Sequence, residues 1–410
     1  MPNLIPAWRC LAISSVLWLL PLLATAGIEP LLNKGLALLN AGQINEAIAV
    51  LHDARQQALD RSQVDNLLGQ AYLRLGMQQL TNGDEAAGRR SFAEAKHYLP
   101  DDPQPWQGTA IAWLREGQPA AAIGEIGEAL AIAGERLDLL ILLGQAHYAG
   151  GDLVQAEEAW QKASEIDATT EVTALLAKVR RERQAETAMR RDLAGRFTLA
   201  YAPGVSNALA SAVLETLQDA YSEVGRELGY YPDTDIPVLL YAREDFAAVT
   251  RSPEWAGAVY DGKIRVPLGG IQQMTAPLKA LLYHEYTHVV VRFLGKGRVP
   301  VWLNEGLAET VGRRQYDPWR GHVTTAGKIL SADALNQSFA RLPAELVPLA
   351  YQTSYERVNR LIALCGWPSL GELMQRLGTG VQWDDAVSAA YAPCGYDWPR
   401  LQVELGDELH

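Results

Sequence analysis

The sequence predicts an all-α helical-repeat solenoid followed by an α+β domain that ends in helices. Three observations carry that expectation. Small residues recur at near-constant spacing through residues 28–170. From Arg196 the pattern changes to short apolar runs separated by turn residues. From Ala276 onward the apolar periodicity becomes helical again.

In the first region Gly42, Gly83, Gly117 and Gly151 follow one another at 41, 34 and 34 residues, and Ala54, Ala95, Ala129 and Ala163 keep the same intervals. Between them, in register, stand Ala47, Gly88, Ala122 and Ala156, each followed four residues on by Leu51, Phe92, Ile126 or Trp160. Glycine makes the turn between two helices, small residues let helix axes approach, and the larger ones fill the space between layers. The second unit carries seven extra residues, two helical turns, within Gln70 to Thr81, which lengthen its first helix and leave the turn at Gly83 in place. This unit resembles the tetratricopeptide repeat over about residues 28–170, well in the third and fourth units and more loosely in the first two. The resemblance implies a surface for a peptide or partner protein; a rigid spacer is the alternative. Residues 171–195 read as a connecting helix, with the second domain over 196–410.

Ahead of the repeats, Arg9, the 13-residue, predominantly apolar stretch Leu11 to Leu23 and the small-x-small run Ala24-Thr25-Ala26 read as a signal peptide over 1–26. The expectation is an exported protein, periplasmic or extracellular. Thirteen residues are short for a bilayer span, and no later segment is apolar enough for one, so no stable span is expected after cleavage. A formal charge of -12 with scattered basic residues argues against nucleic acid as a partner. The densest basic run, Lys178 to Arg183, reads as a solvated helix face. Cys365 and Cys394 could pair in an oxidising compartment or stand as two buried thiols.

In the second domain Phe197 to Tyr201 reads as a strand ended by Pro203-Gly204. Ser206 caps a helix running to about Leu228. Ile236 to Tyr241 is a buried-type strand followed by a short helix through Phe246, and Ala258 to Leu268 a strand pair turning at Asp261-Gly262. A helix over Ala276 to Phe293, opened by Thr275 and Pro277, holds His284-Glu285-Tyr286-Thr287-His288. Residues four apart share a helix face, so both imidazoles aim at one point, while Glu285 is set to reach a metal-bound water. Val289-Val290-Val291 prefers strand locally, a preference that burial can override. Gly295, Gly297 and Pro300 end this helix, and a second, from about Val301, can return Glu305 to the imidazoles with 16 residues between His288 and Glu305. Two histidines and one carboxylate leave an open position on a tetrahedral zinc, as catalytic sites require; cobalt or manganese would also accept this set.

The His284 to His288 segment and Trp302-Leu303-Asn304-Glu305-Gly306 resemble the gluzincin metallopeptidases, most closely the peptidase-MA-like group found fused to tetratricopeptide repeats. The resemblance covers about residues 196–380 and implies a zincin-like domain hydrolysing peptide bonds. It implies zinc held by His284, His288 and Glu305, with Glu285 as general base. Glu309, one turn after Glu305, would hold a ligand histidine from behind, or is a solvated charge. Tyr355, in the Ser354 to Arg357 segment that opens an apolar helix pattern, corresponds to the tyrosine that binds the oxyanion, with Tyr351 as runner-up. Gly257-Ala258-Val259-Tyr260-Asp261 stands where gluzincin aminopeptidases carry a glycine-alanine-methionine-glutamate-asparagine loop; the glutamate that anchors a free α-amino group is missing. Lys263 to Leu268 reads as an edge strand open to an extended substrate. Two other functions fit the same residues: a repeat scaffold whose peptidase-like domain binds without cleaving, and a metallohydrolase of a non-peptide amide such as a cell-wall cross-link.

Overall fold

The computed structural model describes residues 28–187, 189–241, 259–260, 262–317, 330 and 335–405. The expected signal peptide over 1–26, the expected short helix through Phe246, and Gly257, Ala258 and Asp261 lie outside them. The chain divides into two compact units between Val179 and Arg180.

The first unit is helical throughout its described residues. Its paired helices are α1 (Glu29–Asn40) with α2 (Ile44–Gln57), α3 (Ser62–Asn82) with α4 (Glu85–Tyr98), α5 (Gln104–Arg115) with α6 (Pro119–Ala133), and α7 (Leu137–Ala149) with α8 (Leu153–Ile166). Each of the four turn glycines has a left-handed φ, between 72° and 82°, where a side chain would be strained. The in-register alanines and the large residues four positions after the first set are fully buried. The extra residues do lengthen α3, to 21 residues against 12 in α1 and α5. Packing also exposes a column that the turns and alanines did not signal. Gly35, Gly76 and Gly144 receive Leu51, Phe92 and Trp160 so closely that a Cβ there would fall within 2.7 Å of the facing side chain.

After α9 (Thr170–Glu186) come β1 (Arg190–Ala194), β2 (Phe197–Tyr201), α10 (Asn207–Leu228), β3 (Ile236–Tyr241), β4 (Val259–Tyr260) and β5 (Ile264–Pro267). The strands form one mixed sheet in the order β1-β2-β3-β5-β4, parallel at β2/β3 and β3/β5 and antiparallel at its two edges. Helices α11 (Ala276–Gly295), α12 (Val301–Arg313), α13 (Val347–Gly378), α14 (Trp383–Tyr391) and α15 (Trp398–Glu404) complete the unit. Side chains alternate across the sheet. Phe197, Leu199, Val238, Leu240, Ile264 and Val266 join the core shared with α10 and α11, while Ala200, Leu239 and Tyr241 pack on the other face against Ala185 and Met189.

Four local expectations change. The connecting helix stops at Glu186, and Arg190–Ala194 pairs with β2 as an edge strand; its exposed residues gave no alternating signal. The Lys178 to Arg183 run is only partly a solvated face, because Glu182 is buried against Arg265 at 2.8 Å. Lys263 to Leu268 does not form the sheet edge, since β4 returns alongside it, and Lys263 and Arg265 turn inward to Glu182 and Glu186. The helix bearing Tyr355 starts at Val347, with Pro348 in its first turn, so Ser354 lies two turns inside it. Cys365 and Cys394 are disulfide-bonded, with Cα atoms 5.8 Å apart. No helix among the described residues is long and apolar enough to cross a membrane.

Candidate metal centre

Helix α11 begins where Thr275 accepts a hydrogen bond from the Leu278 N–H, with a proline in the first turn. Val289, Val290 and Val291 are buried in the core, so tertiary packing overrides their strand preference. The helix ends at Gly295 with Lys296 left-handed, and α12 starts after Pro300. Two glycines of α12 then set the helix spacing. A Cβ on Gly312 would stand 3.0 Å from the Ala280 carbonyl oxygen of α11, and one on Gly306 2.3 Å from the Ser354 carbonyl oxygen of α13. Close approach on both sides brings ligands from α11 and α12 within reach of side chains on α13.

The ligand atoms converge. His284 Nε2 and His288 Nε2 are 3.1 Å apart, and Glu305 Oε2 lies 3.8 Å from the first and 3.6 Å from the second. A point equidistant from the three lies about 2.0 Å from each, which is the bond length of zinc to imidazole nitrogen or carboxylate oxygen. The rings are fixed from behind by different acceptors. His288 Nδ1–H donates to Asn304 Oδ1 at 2.9 Å, and His284 Nδ1 lies 3.3 Å from Glu309 Oε1. With both Nδ1 positions so engaged, the two Nε2 atoms face one another at 3.1 Å, where a metal cation could take the place of the proton they share. The donor set and its spacing therefore fit a divalent ion, and His284, His288 and Glu305 form a possible metal site.

The field around the site has the same sense. Burial opposes charge on His284, but its hydrogen bond to Glu309 and the charges of Glu309, Glu285 and Glu305 outweigh it, pushing its pKa up to about 9. Groups that favour a proton there also favour a metal cation. Glu285 is buried, which raises its pKa against the lowering effect of the two histidines, and its Oε2 has no hydrogen-bond partner among the described residues. A buried, unpartnered carboxylate beside the ligands is free to exchange a proton with a bound reactant.

Glu309 is not a solvated charge: it bridges His284 and Arg313, whose Nε donates to Glu309 Oε2 at 2.7 Å. Of the two tyrosines, Tyr355 lies beneath the Arg313 guanidinium, 4.2 Å from ring centroid to its carbon. Tyr351, one turn earlier, packs its ring edge-on against Phe339, 5.1 Å between centroids. Burial first, then the charges of Glu305, Glu309 and Glu285, hold its pKa well above the ordinary tyrosine value. Sequence reasoning gave no role to Asn304 or Arg313. Their signals were positional: Asn304 directly precedes a ligand, and Arg313 follows Glu309 by one helical turn.

Residues 216–404 match the family model described as the Peptidase MA superfamily, and residues 114–179 match that of the tetratricopeptide repeat. The chain carries a Peptidase MA superfamily domain. A tetratricopeptide-repeat region precedes that domain, and the repeat match runs from the end of α5 through α6, α7 and α8 into α9. No curated protein sequence matches the chain. Among solved structures, a thermophilic TPR protein of Thermus thermophilus is similar at 16% identity, covering 37% of this chain and 80% of its own, with a TM-score of 0.25. The TPR domain of P58(IPK) is similar at 10% identity, covering 93% and 99%, with a TM-score of 0.21.

Proposed function

We propose that the chain is an exported zinc metallopeptidase whose second unit hydrolyses peptide bonds and whose repeats recruit substrate or a partner protein. The observation that carries this reading is the convergence of His284, His288 and Glu305 beside the buried, unpartnered carboxylate of Glu285. His284, His288 and Glu305 would hold the ion. When bound, zinc would supply Lewis acidity toward the substrate carbonyl and lower the pKa of water.

The rest of the chemistry belongs to this chain. Asn304 and Glu309 engage Nδ1 of the two imidazoles, so that each Nε2 is directed at the ion. Glu285 takes the proton of the attacking water at its free oxygen and returns it to the leaving amine. Its raised pKa suits both transfers, since burial brings the carboxyl nearer neutrality. Tyr351 donates its hydroxyl proton in a hydrogen bond to the developing oxyanion, and its high pKa keeps that donor protonated at neutral pH. Tyr355, the first candidate for this role, has the Arg313 guanidinium over its ring, and it is the alternative donor. Export rests on the 1–26 segment and is compatible with the Cys365–Cys394 disulfide.

Peptide-cleavage profiling of the full chain beside Glu285→Gln tests the reading. Cleavage lost on chelation, restored by zinc and absent from a zinc-loaded Glu285→Gln protein is the expected result. Undiminished cleavage by that variant would reject Glu285 as the base, and no cleavage by the wild-type chain would reject peptide hydrolysis.

A further inference from the structure

Behind the ligand His284 runs a chain of polar contacts that crosses from one helix to the next. Glu309 Oε1 lies 3.3 Å from His284 Nδ1, and Glu309 Oε2 accepts from Arg313 Nε at 2.7 Å. Arg313 Nη1 donates to Gln352 Oε1 at 2.7 Å, and Gln352 Nε2 to Glu356 Oε1 at 2.8 Å. The same guanidinium covers the Tyr355 ring. Arg313 is 6% exposed at its side chain, so its charge is little screened by solvent.

Three carboxylates, Glu285, Glu305 and Glu309, act on His284. Of these, Glu309 carries the hydrogen bond that orients the ring. A third negative charge at such close quarters is costly unless a cation stands outside it. Arg313 supplies that cation from the side opposite His284, and its planar fork also bonds Gln352 on α13, the helix that carries Tyr351. Lysine offers one point charge and could not hold both partners and stack on Tyr355 at once.

We infer that Arg313 is a positioning residue for the metal centre: it fixes Glu309, and through it the His284 ring, and ties that assembly to the helix bearing Tyr351. The inference rests on the metal site proposed above. Arg313 touches neither ion nor substrate in this arrangement, so its effect reads first in metal affinity. Substitution of groups that orient a ligand histidine weakens metal binding by about 10- to 100-fold, and a residue one step further out belongs near the lower end.

The test is zinc affinity of the full chain, measured by competition with a chromophoric chelator of known affinity. It compares wild type, Arg313→Met, Arg313→Lys, Glu309→Gln and the Arg313→Met/Glu309→Gln double variant, with chelated-state thermal unfolding run alongside. Expected are a dissociation constant about tenfold weaker in Arg313→Met, a smaller loss in Arg313→Lys, and no further loss when Arg313→Met is added to Glu309→Gln. If Arg313→Met does not fold, Arg313→Lys carries the comparison, and weaker zinc binding in that folded variant is the supporting result. Wild-type affinity in a folded Arg313 variant, or losses that add in the double variant, overturns the inference. Absence of zinc binding by the wild-type chain would instead remove the metal site itself, a separate outcome.

Discussion

His284 and His288 present Nε2 atoms 3.1 Å apart, and each ring is held from behind by an acceptor on α12. The spacing of those two residues is a property of any α-helix, which is why the metal face could be read before the fold was known. The proposed oxyanion donor could not be read in the same way. Tyr351 and Tyr355 stand one turn apart on α13, and kinetics on the two Phe variants distinguish them. Replacing Tyr351 by Phe is expected to lower kcat by about 10²- to 10³-fold, the usual loss for one oxyanion donor, with zinc affinity unchanged. Tyr355→Phe should leave kcat within a few-fold of wild type. Steady-state kinetics on zinc-loaded variants decide between them; the reverse order would restore Tyr355 to the role. Glu309 was legible as a candidate from its place one turn after Glu305. The onward link from Arg313 to Gln352 was not, because Gln352 stands on α13, 39 residues away in sequence.

At the scale of elements, most of the second unit was legible because its boundaries carry chemical signals. Ser206 and Thr275 cap α10 and α11 as their side chains suggest, and the strand over Ile236–Tyr241 has the bounds its apolar run implies. β1 was not legible, since its residues face solvent and lack alternation. The inward turn of Lys263 and Arg265 was not legible either: charge says outside, and the carboxylates of Glu182 and Glu186 on α9, with the Tyr241 hydroxyl, help make burial tolerable. Gly306 gives a test of how helix spacing builds the site. Alanine there places its Cβ 2.3 Å from a backbone oxygen, which cannot rotate away, so α12 and α13 must separate. Gly306→Ala should destabilise by about 1–3 kcal/mol or more and weaken zinc binding together with it. Gly124→Ala, in open space on α6, should instead stabilise by up to about 1 kcal/mol. Thermal unfolding of both variants checks the contrast; equal effects would mean that the α12–α13 approach is not tight.

Over the whole molecule, a repeat region and a peptidase-family domain each follow rules visible in the sequence, a 34-residue period in one and a ligand motif in the other. What the sequence left open was pairing at a distance, as with Cys365 and Cys394. Their bond closes a loop across a separation of 29 residues, for which loop entropy gives about 3–4 kcal/mol of stabilisation. Reductant should therefore lower the unfolding midpoint of the wild-type chain and leave that of a Cys365→Ser/Cys394→Ser variant where it is; no shift in the wild type would mean that the thiols are not paired. The metal centre remains the point on which the functional reading turns. X-ray absorption at the zinc edge, on the purified chain and on His288→Ala, examines it directly. Expected are one zinc per wild-type chain, two imidazoles and a carboxylate oxygen at about 2.0–2.1 Å with no sulfur, and loss of the metal in His288→Ala. Sulfur ligation, or equal zinc content in the variant, would contradict it.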